Sequence, residues 1–284
     1  MSGLYGLTRP LLFALDAEKA HGATIQLLKA ARYWPAGSDD PRLAVDAFGL
    51  HFANPLGIGA GFDKHAEIPD SLLRIGFGFT EIGTVTPLPQ PGNPQPRLFR
   101  LTQDMGVINR FGFNSEGHRA VYKRLAARIG KKGIVGVNIG TNKDAADRGD
   151  DYVAGISTFA DCASYFTINV SPPNTPGLRD LQQAQVLDDL LARVLEARDI
   201  AAGRAGRKPV LLKIAPDLTL ADLDDVVRVS RQRQIDGMIV ANTTVTRPAY
   251  LRSPERAQSG GLSGKPLFEL STTMLAETFK RVEN

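Results

Sequence analysis

The sequence predicts an α/β protein, a (β/α)8 barrel of the TIM type with a short helical extension at its N-terminus. Three observations carry this. Short apolar runs recur at residues 56–59, 79–83, 134–138, 166–170, 210–214 and 238–242. Several are rich in β-branched residues and nearly continuous in hydrophobicity, as parallel strands buried on both faces are. Helical stretches at about 66–75, 115–130, 181–203 and 219–234 separate many of them, which leaves a doubly wound sheet or a barrel. The third observation favours the barrel: the runs close in polar or small residues suited to chemistry, Ala60-Gly61-Phe62-Asp63-Lys64, Thr84, Asn138, Asn169, Lys213 and Asn242-Thr243. Asn is depleted in strands, and helix capping accounts for one or two such endings but not for all. In a (β/α)8 barrel the carboxyl ends of several strands build the active site. No Gly-x-Gly-x-x-Gly follows the first run, which argues against a Rossmann dinucleotide site.

From the N-terminus, residues 1–41 read as a helical pair and linker. Leu4, Leu7, Leu11, Leu12 and Leu15 recur at helical spacing, and Asp16 is placed to cap a second helix carrying Ala17, Ala20, Thr24, Leu27, Leu28 and Ala31 on one side. Trp34-Pro35 and the polar stretch 36–41 close the unit. The pair either packs on the main domain or offers an apolar surface to lipid or a lipophilic ligand. Residues 42–284 form the barrel domain, with six β–α units and a last helix from about 267 to 282. A closed barrel needs eight, so the chain is expected to be a fragment lacking the last two strands, with two sheet edges left open.

Small residues in 59–61 let a ligand approach the backbone, and Lys64 follows at once with a cation for an anionic or carbonyl-rich partner. Its bland reading is a surface lysine beside a turn. Residues 97–114 read as a hairpin turning at Gln103-Asp104-Met105-Gly106. Asn109 and Asn114 carry neutral amides that both donate and accept, suited to the edge of a pyrimidinedione; an ordinary surface hairpin is the alternative. The Pro-rich segment 169–179 is long enough to cover a barrel mouth. Lys213, ending an apolar run, needs either a carboxylate neighbour or a ligand that develops negative charge.

The composition narrows the classes. With 43% hydrophobic and 23% charged residues the 284-residue chain can build a large core. The net charge of +4 is mild and its cations are scattered, so no nucleic-acid partner is expected. The single cysteine, Cys162, excludes an internal disulfide and a cysteine-ligated metal site, and no metal is expected. No apolar run approaches the roughly 20 residues that span a bilayer, and no secretory signal is recognisable at the N-terminus.

In order and spacing, these residues resemble the quinone-linked, class 2 dihydroorotate dehydrogenases, from Leu15-Asp16-Ala17-Glu18-Lys19-Ala20-His21 to Gly260-Gly261-Leu262-Ser263-Gly264-Lys265-Pro266-Leu267. The resemblance implies oxidation of dihydroorotate to orotate in pyrimidine synthesis, with FMN as bound cofactor and ubiquinone or a related quinone as acceptor. It makes the helix pair a quinone tunnel and a peripheral contact with the cytoplasmic side of the cell membrane. It places FMN against Ala60, Gly61, Phe62, Asp63, Lys64, Thr84, Asn138, Asn169, Lys213, Ala241 and Gly264. It places substrate against Lys64, Asn109, Arg110, Phe111, Gly112, Phe113, Asn169, Asn174, Asn242 and Thr243.

Two departures stand out. The class 2 loop reads Asn-x-Ser-Ser-Pro-Asn-Thr, with the second serine as catalytic base, and that position is Pro172 here. Proline cannot accept a proton, and Ser171 beside it is a weak substitute, since neighbours in an extended segment face opposite ways. Strongly reduced activity is therefore expected. The other departure is the early end, which on the family pattern removes the FMN phosphate site. The alternative to an enzyme is an impaired remnant that binds FMN or orotate without turnover. A class 1 relative using fumarate or NAD is opposed by the N-terminal helices and by the lack of a cysteine at the base position.

Overall fold

The computed structural model describes residues 4–30, 37, 39–171 and 179–283. The chain opens with α1 (Leu4–Ala14) and α2 (Ala17–Ala30), the two helices expected from the leucine spacing. Asp16 caps the second, accepting from the backbone amides of Glu18 and Lys19, each at 3.0 Å. A small antiparallel hairpin follows, β1 (Val45–Ala47) and β2 (Leu50–Phe52).

Next come β3 (Gly57–Ile58), α3 (Pro69–Arg74) and β4 (Phe79–Val85). A hairpin, β5 (Leu98–Leu101) and β6 (Gly106–Asn109), lies where the alternation placed it. The chain continues through α4 (Gly117–Ala126), β7 (Ile134–Ile139), α5 (Arg148–Phe159), β8 (Tyr165–Asn169), α6 (Ala184–Ala205) and β9 (Val210–Ile214). It closes with α7 (Leu220–Gln232), β10 (Gly237–Val240), β11 (Gly261–Gly264) and α8 (Phe268–Glu283).

Six strands form one parallel sheet in the order β10-β9-β8-β7-β4-β3, an arc of a TIM-type barrel. Both faces of the sheet are covered, but by different means: Val135, Val137, Ile139, Phe166, Ile168 and Leu212 alternate onto one face and are fully buried, while Glu81, Asn138, Tyr165 and Thr167 on the other face are buried and polar. The helices present matching stripes. In α6 the buried Leu187, Leu190, Leu191, Val194 and Leu195 recur at helical spacing. A capping box between Thr219 and Asp222 fixes the start of α7.

Two smaller cores lie outside this layer. Leu101, Ile108, Leu251 and Leu262 pack beneath a three-stranded antiparallel roof, β5-β6-β11. Sequence reasoning expected two of those strands; the third comes from far downstream. On the other side, Ile25 and Leu28 of α2 pack on Leu72 of α3 and on Ile68 just before it, with Ile58, Phe62 and Phe77. Burying one such isoleucine contributes about 1.5–3 kcal/mol. Polar links add direction: Arg100 donates to the carbonyl of Leu12 in the last turn of α1 (3.2 Å) and to that of Leu15 just beyond it (2.8 Å).

Candidate active site

At the carboxyl ends of the parallel strands, under the roof, lies a cavity of about 380 Å³. Its wall includes Ala60, Gly61, Lys64, Thr84, Asn109, Phe111, Gly112, Phe113, Asn169, Lys213, Ala241, Asn242 and Thr243. Asn114 lines it too, so fourteen residues singled out from sequence are brought together. Leu98, Val107, Ser263 and Leu267 complete it.

The floor is a continuous hydrogen-bond network. Glu81, on the inward face of β4, accepts from Asn138 Nδ2 (2.8 Å), Tyr165 OH (3.1 Å) and Thr167 Oγ1 (2.8 Å). Asn138 Oδ1 accepts in turn from Thr84 Oγ1 (2.6 Å) and Asn169 Nδ2 (3.2 Å), and Asn169 Nδ2 also donates to Thr84 Oγ1 (3.0 Å). Asn169 Oδ1 accepts from Asn242 Nδ2 and Ser171 Oγ, both at 3.2 Å, while Asn242 Nδ2 also donates to Ser171 Oγ at 3.0 Å. Tyr152 OH pins the Asn169 carbonyl from below (2.8 Å). Each strand-end amide therefore has its orientation fixed by a neighbouring strand. Asn138 is wholly buried and supports the wall without reaching it.

Two lysines supply the charge. Lys213, next to last in β9, is half-buried and, among the described residues, has no ion-pair or hydrogen-bond partner. The carboxylate neighbour that would make it purely structural is not found there. Lys64 Nζ sits 4.2 Å from the centroid of the Phe111 ring. Burial pushes its ammonium down to about 8, the Arg97 guanidinium pushes the same way, and the Glu18 carboxylate opposes both.

One side of the cavity is bare backbone. Gly61 has φ of +108°, which L side chains rarely adopt, and open space lies where a Cβ would project. A flat ring fits against such a surface.

Several expected residues lie elsewhere. Phe62 and Asp63 face a second, smaller pocket between α2 and the 62–67 segment; Asp63 accepts from the backbone amides of Glu67 (2.8 Å) and Ile68 (2.9 Å). Arg110 turns out of the cavity to Gln258 Oε1 (2.9 Å) and lies 4.5 Å from the centroid of the Phe99 ring. Gly264 pairs with Gly106 in the roof. Pro172 and Asn174 fall outside the described residues. Cys162 is half-buried against the Phe159 carbonyl, and burial pushes its thiol up to about 12, so it stays protonated. Sequence reasoning missed Glu81, Tyr165 and Thr167; a carboxylate in the middle of an apolar strand was the available signal for the first.

A family profile described as dihydroorotate dehydrogenase matches residues 42–284. The chain is 64% identical over 278 residues to a protein of Bradyrhizobium sp. (strain ORS 278) named dihydroorotate dehydrogenase (quinone), covering 98% of this chain and 76% of that relative. A Rhodopseudomonas palustris (strain BisB5) protein of the same name is 64% identical over 275 residues, with 96% and 76% covered. Among solved structures, DHODH from Eimeria tenella in complex with ferulenol superposes with a TM-score of 0.89 at 39% identity, covering 94% of this chain and 77% of that one.

Proposed function

The chain belongs to the dihydroorotate dehydrogenase family, and from that premise we propose that it oxidises dihydroorotate to orotate with FMN as bound cofactor and a quinone as acceptor. The observation that carries the assignment is the convergence of Thr84, Asn169, Lys213, Asn242 and Lys64 on one cavity whose far side is glycine backbone. The flavin ring would lie on Ala60 and Gly61, bordered by Thr84, Asn169, Lys213 and Ala241, with Asn138 holding two of these in place. Bound flavin would supply the chemistry these residues lack, an acceptor for the hydride of dihydroorotate and a two-electron route to quinone.

The protein groups perform the rest. Asn109, Asn242 and Thr243 present neutral donors and acceptors to the substrate ring. Lys64 meets its carboxylate, and a charged donor in a dry site is worth more than in water. Lys213 faces electron density arriving from the substrate. Phe111, Gly112 and Phe113 shape the apolar lip.

The substrate's proton is the weak point. Ser171 Oγ is fully buried, donates to Asn169 and accepts from Asn242, and does not reach the cavity wall. It supports both amides instead of taking the proton, and Pro172 offers no acceptor. These observations favour, as a second reading, a binding form with impaired turnover.

No helix among the described residues is long and apolar enough to cross a membrane. The exposed Phe13, Leu15 and Leu27 support a peripheral contact of the helix pair with the cytoplasmic face of the cell membrane.

The visible absorption of the purified chain tests the assignment first. A flavin spectrum near stoichiometry, bleached by dihydroorotate without oxygen, is expected, and absence of flavin after incubation with FMN refutes it. If bleaching is slow, Pro172→Ser is expected to speed it by about 10²–10⁴-fold, the usual worth of a general base. An unchanged rate would leave the binding form as the surviving reading.

A further inference from the structure

A chain of charges runs from the cavity to the N-terminal helices, and the assigned roles do not explain it. Arg97 lies just before β5. Its Nη2 donates to Glu18 Oε1 at 2.7 Å and its Nε to both Glu18 oxygens (3.1 and 3.0 Å). The pair is largely shielded, with Arg97 side-chain exposure at 10% and Glu18 at 20%. The same guanidinium sits 5.3 Å from the centroid of the Phe111 ring, the ring that Lys64 contacts. Two cations thus share one aromatic ring, and one carboxylate serves both.

Glu18 is the odd member. It stands in the first turn of α2, outside the barrel, and reaches across to a residue of the barrel. Arg97 does not depend on it for position, because Arg97 Nη1 donates to the carbonyls of Pro91 (2.6 Å) and Asn93 (2.9 Å). Removing Glu18 would leave an uncompensated guanidinium in place beside Lys64.

We infer that Glu18 is a positioning residue for Lys64: from the N-terminal helix it neutralises Arg97 behind Phe111 and so lets Lys64 keep the charge that binds an anionic substrate. The inference rests on the reading of Lys64 as the substrate's cationic contact. It makes the seating of α2 a condition of substrate affinity. The helix that faces the proposed quinone and membrane side is thereby linked to the substrate side.

The electrostatic surroundings agree in sign. The charged and titratable groups around Lys64 are Glu18 and His21 from α2, Arg97 from the segment before β5, Lys213 across the cavity, and Asp63, His65 and Glu67 on its own segment. Among the shifts acting on Lys64, burial and Arg97 favour the neutral amine, and Glu18 is the group that restores the ammonium. α2 is also held to the same segment by His21 Nε2 to the Phe62 carbonyl (2.8 Å) and by Lys29 to Glu67 (3.1 Å). The carboxylate therefore arrives only when the helix is seated.

The test reads Lys64 directly. The full chain is labelled with acetic anhydride across a pH series, and the labelled fraction at Lys64 is followed by peptide mass spectrometry. Glu18→Gln is expected to move the half-labelling point to lower pH, and Glu18→Asp to move it back toward the wild-type value. Arg97→Met, which removes the cation, is expected to move it upward. These opposite signs cannot come from simple loosening of the fold, and the second variant keeps the test decisive if Glu18→Gln misfolds. In parallel, orotate affinity of Glu18→Gln is expected to fall by about twofold to fivefold near ~pH 8, as a shift of about half to one pH unit lowers the charged fraction of Lys64 there, and to change little near ~pH 6. A half-labelling point unmoved by either variant overturns the inference. Lys64→Ala with unchanged orotate affinity would overturn the substrate reading instead, while the labelling result would still stand or fall by itself.

Discussion

The floor of the cavity and its rim are held by opposite means. The floor consists of side chains on β4, β7 and β8, with Glu81, Asn138, Asn169 and Ser171 all at most 4% exposed and bonded to one another. The rim consists of Lys64, Phe111, Arg97 and Glu18, joined by cation–ring contacts and an ion pair to a separate helix. A buried hydrogen-bond network admits one arrangement, because each lost bond leaves a desolvated partner unpaired. Charge contacts at a rim act over distance and respond to protonation. On the proposed reading, the floor would set where a ring lies, and the rim how strongly an anion is held there.

The largest effect expected from this division is at Lys64. Lys64→Ala should lower kcat/KM for dihydroorotate by about 10²–10³-fold with little change in unfolding temperature. Steady-state kinetics beside calorimetry check it, and a fall below about tenfold would break the comparison on the rim side. The next largest concerns stability. Glu81→Leu leaves Asn138, Tyr165 and Thr167 without their buried acceptor and should cost about 3 kcal/mol or more, read from denaturant midpoints. A loss under about 1 kcal/mol would mean that the floor is not the rigid part.

A smaller effect is expected in pH. Lys64 is depressed in the fold to about 8, so its ammonium is charged below that point and neutral above it. Orotate affinity, measured calorimetrically, should weaken as pH rises through about 8, with the bound carboxylate itself drawing the midpoint upward. A flat profile would detach Lys64's charge from binding. The smallest concerns Lys29, whose side chain is 52% exposed in its pair with Glu67. Lys29→Ala should change stability by no more than about 0.5 kcal/mol, which a denaturation curve resolves as near identity.

Most of the sheet could be read from sequence because apolar runs and their polar ends are local. Asn138, Asn169 and Asn242 stand out in strands that otherwise reject asparagine, and fourteen of the expected residues meet at one cavity. What escaped has identifiable causes. Helix α5 was passed over because its start, Arg148-Gly149-Asp150-Asp151, reads as loop, although Tyr152, Ile156 and Phe159 keep helical spacing and Asp147 caps it through Gly149 N (2.7 Å). Strands β1 and β2 have three residues each, too few for a period. Arg110 turns away from the cavity because Gln258 and Ser259 meet its guanidinium, partners nearly 150 positions along the chain. No local pattern encodes a partner at that distance.

The third strand of the roof carries a consequence for how the protein comes into being. β11 is paired along β6, from Gly261 with Asn109 to Gly264 with Gly106, and Ser263 donates to the Val107 carbonyl across a separation of 156 residues. Closing so long a loop is slow compared with forming a neighbouring hairpin. During synthesis, the segment that presents Asn109 and Phe111 must therefore wait, with an open strand edge, while four more strands of the parallel sheet, β7 to β10, emerge. The cavity acquires its lid last, after the sheet beneath it has been laid down.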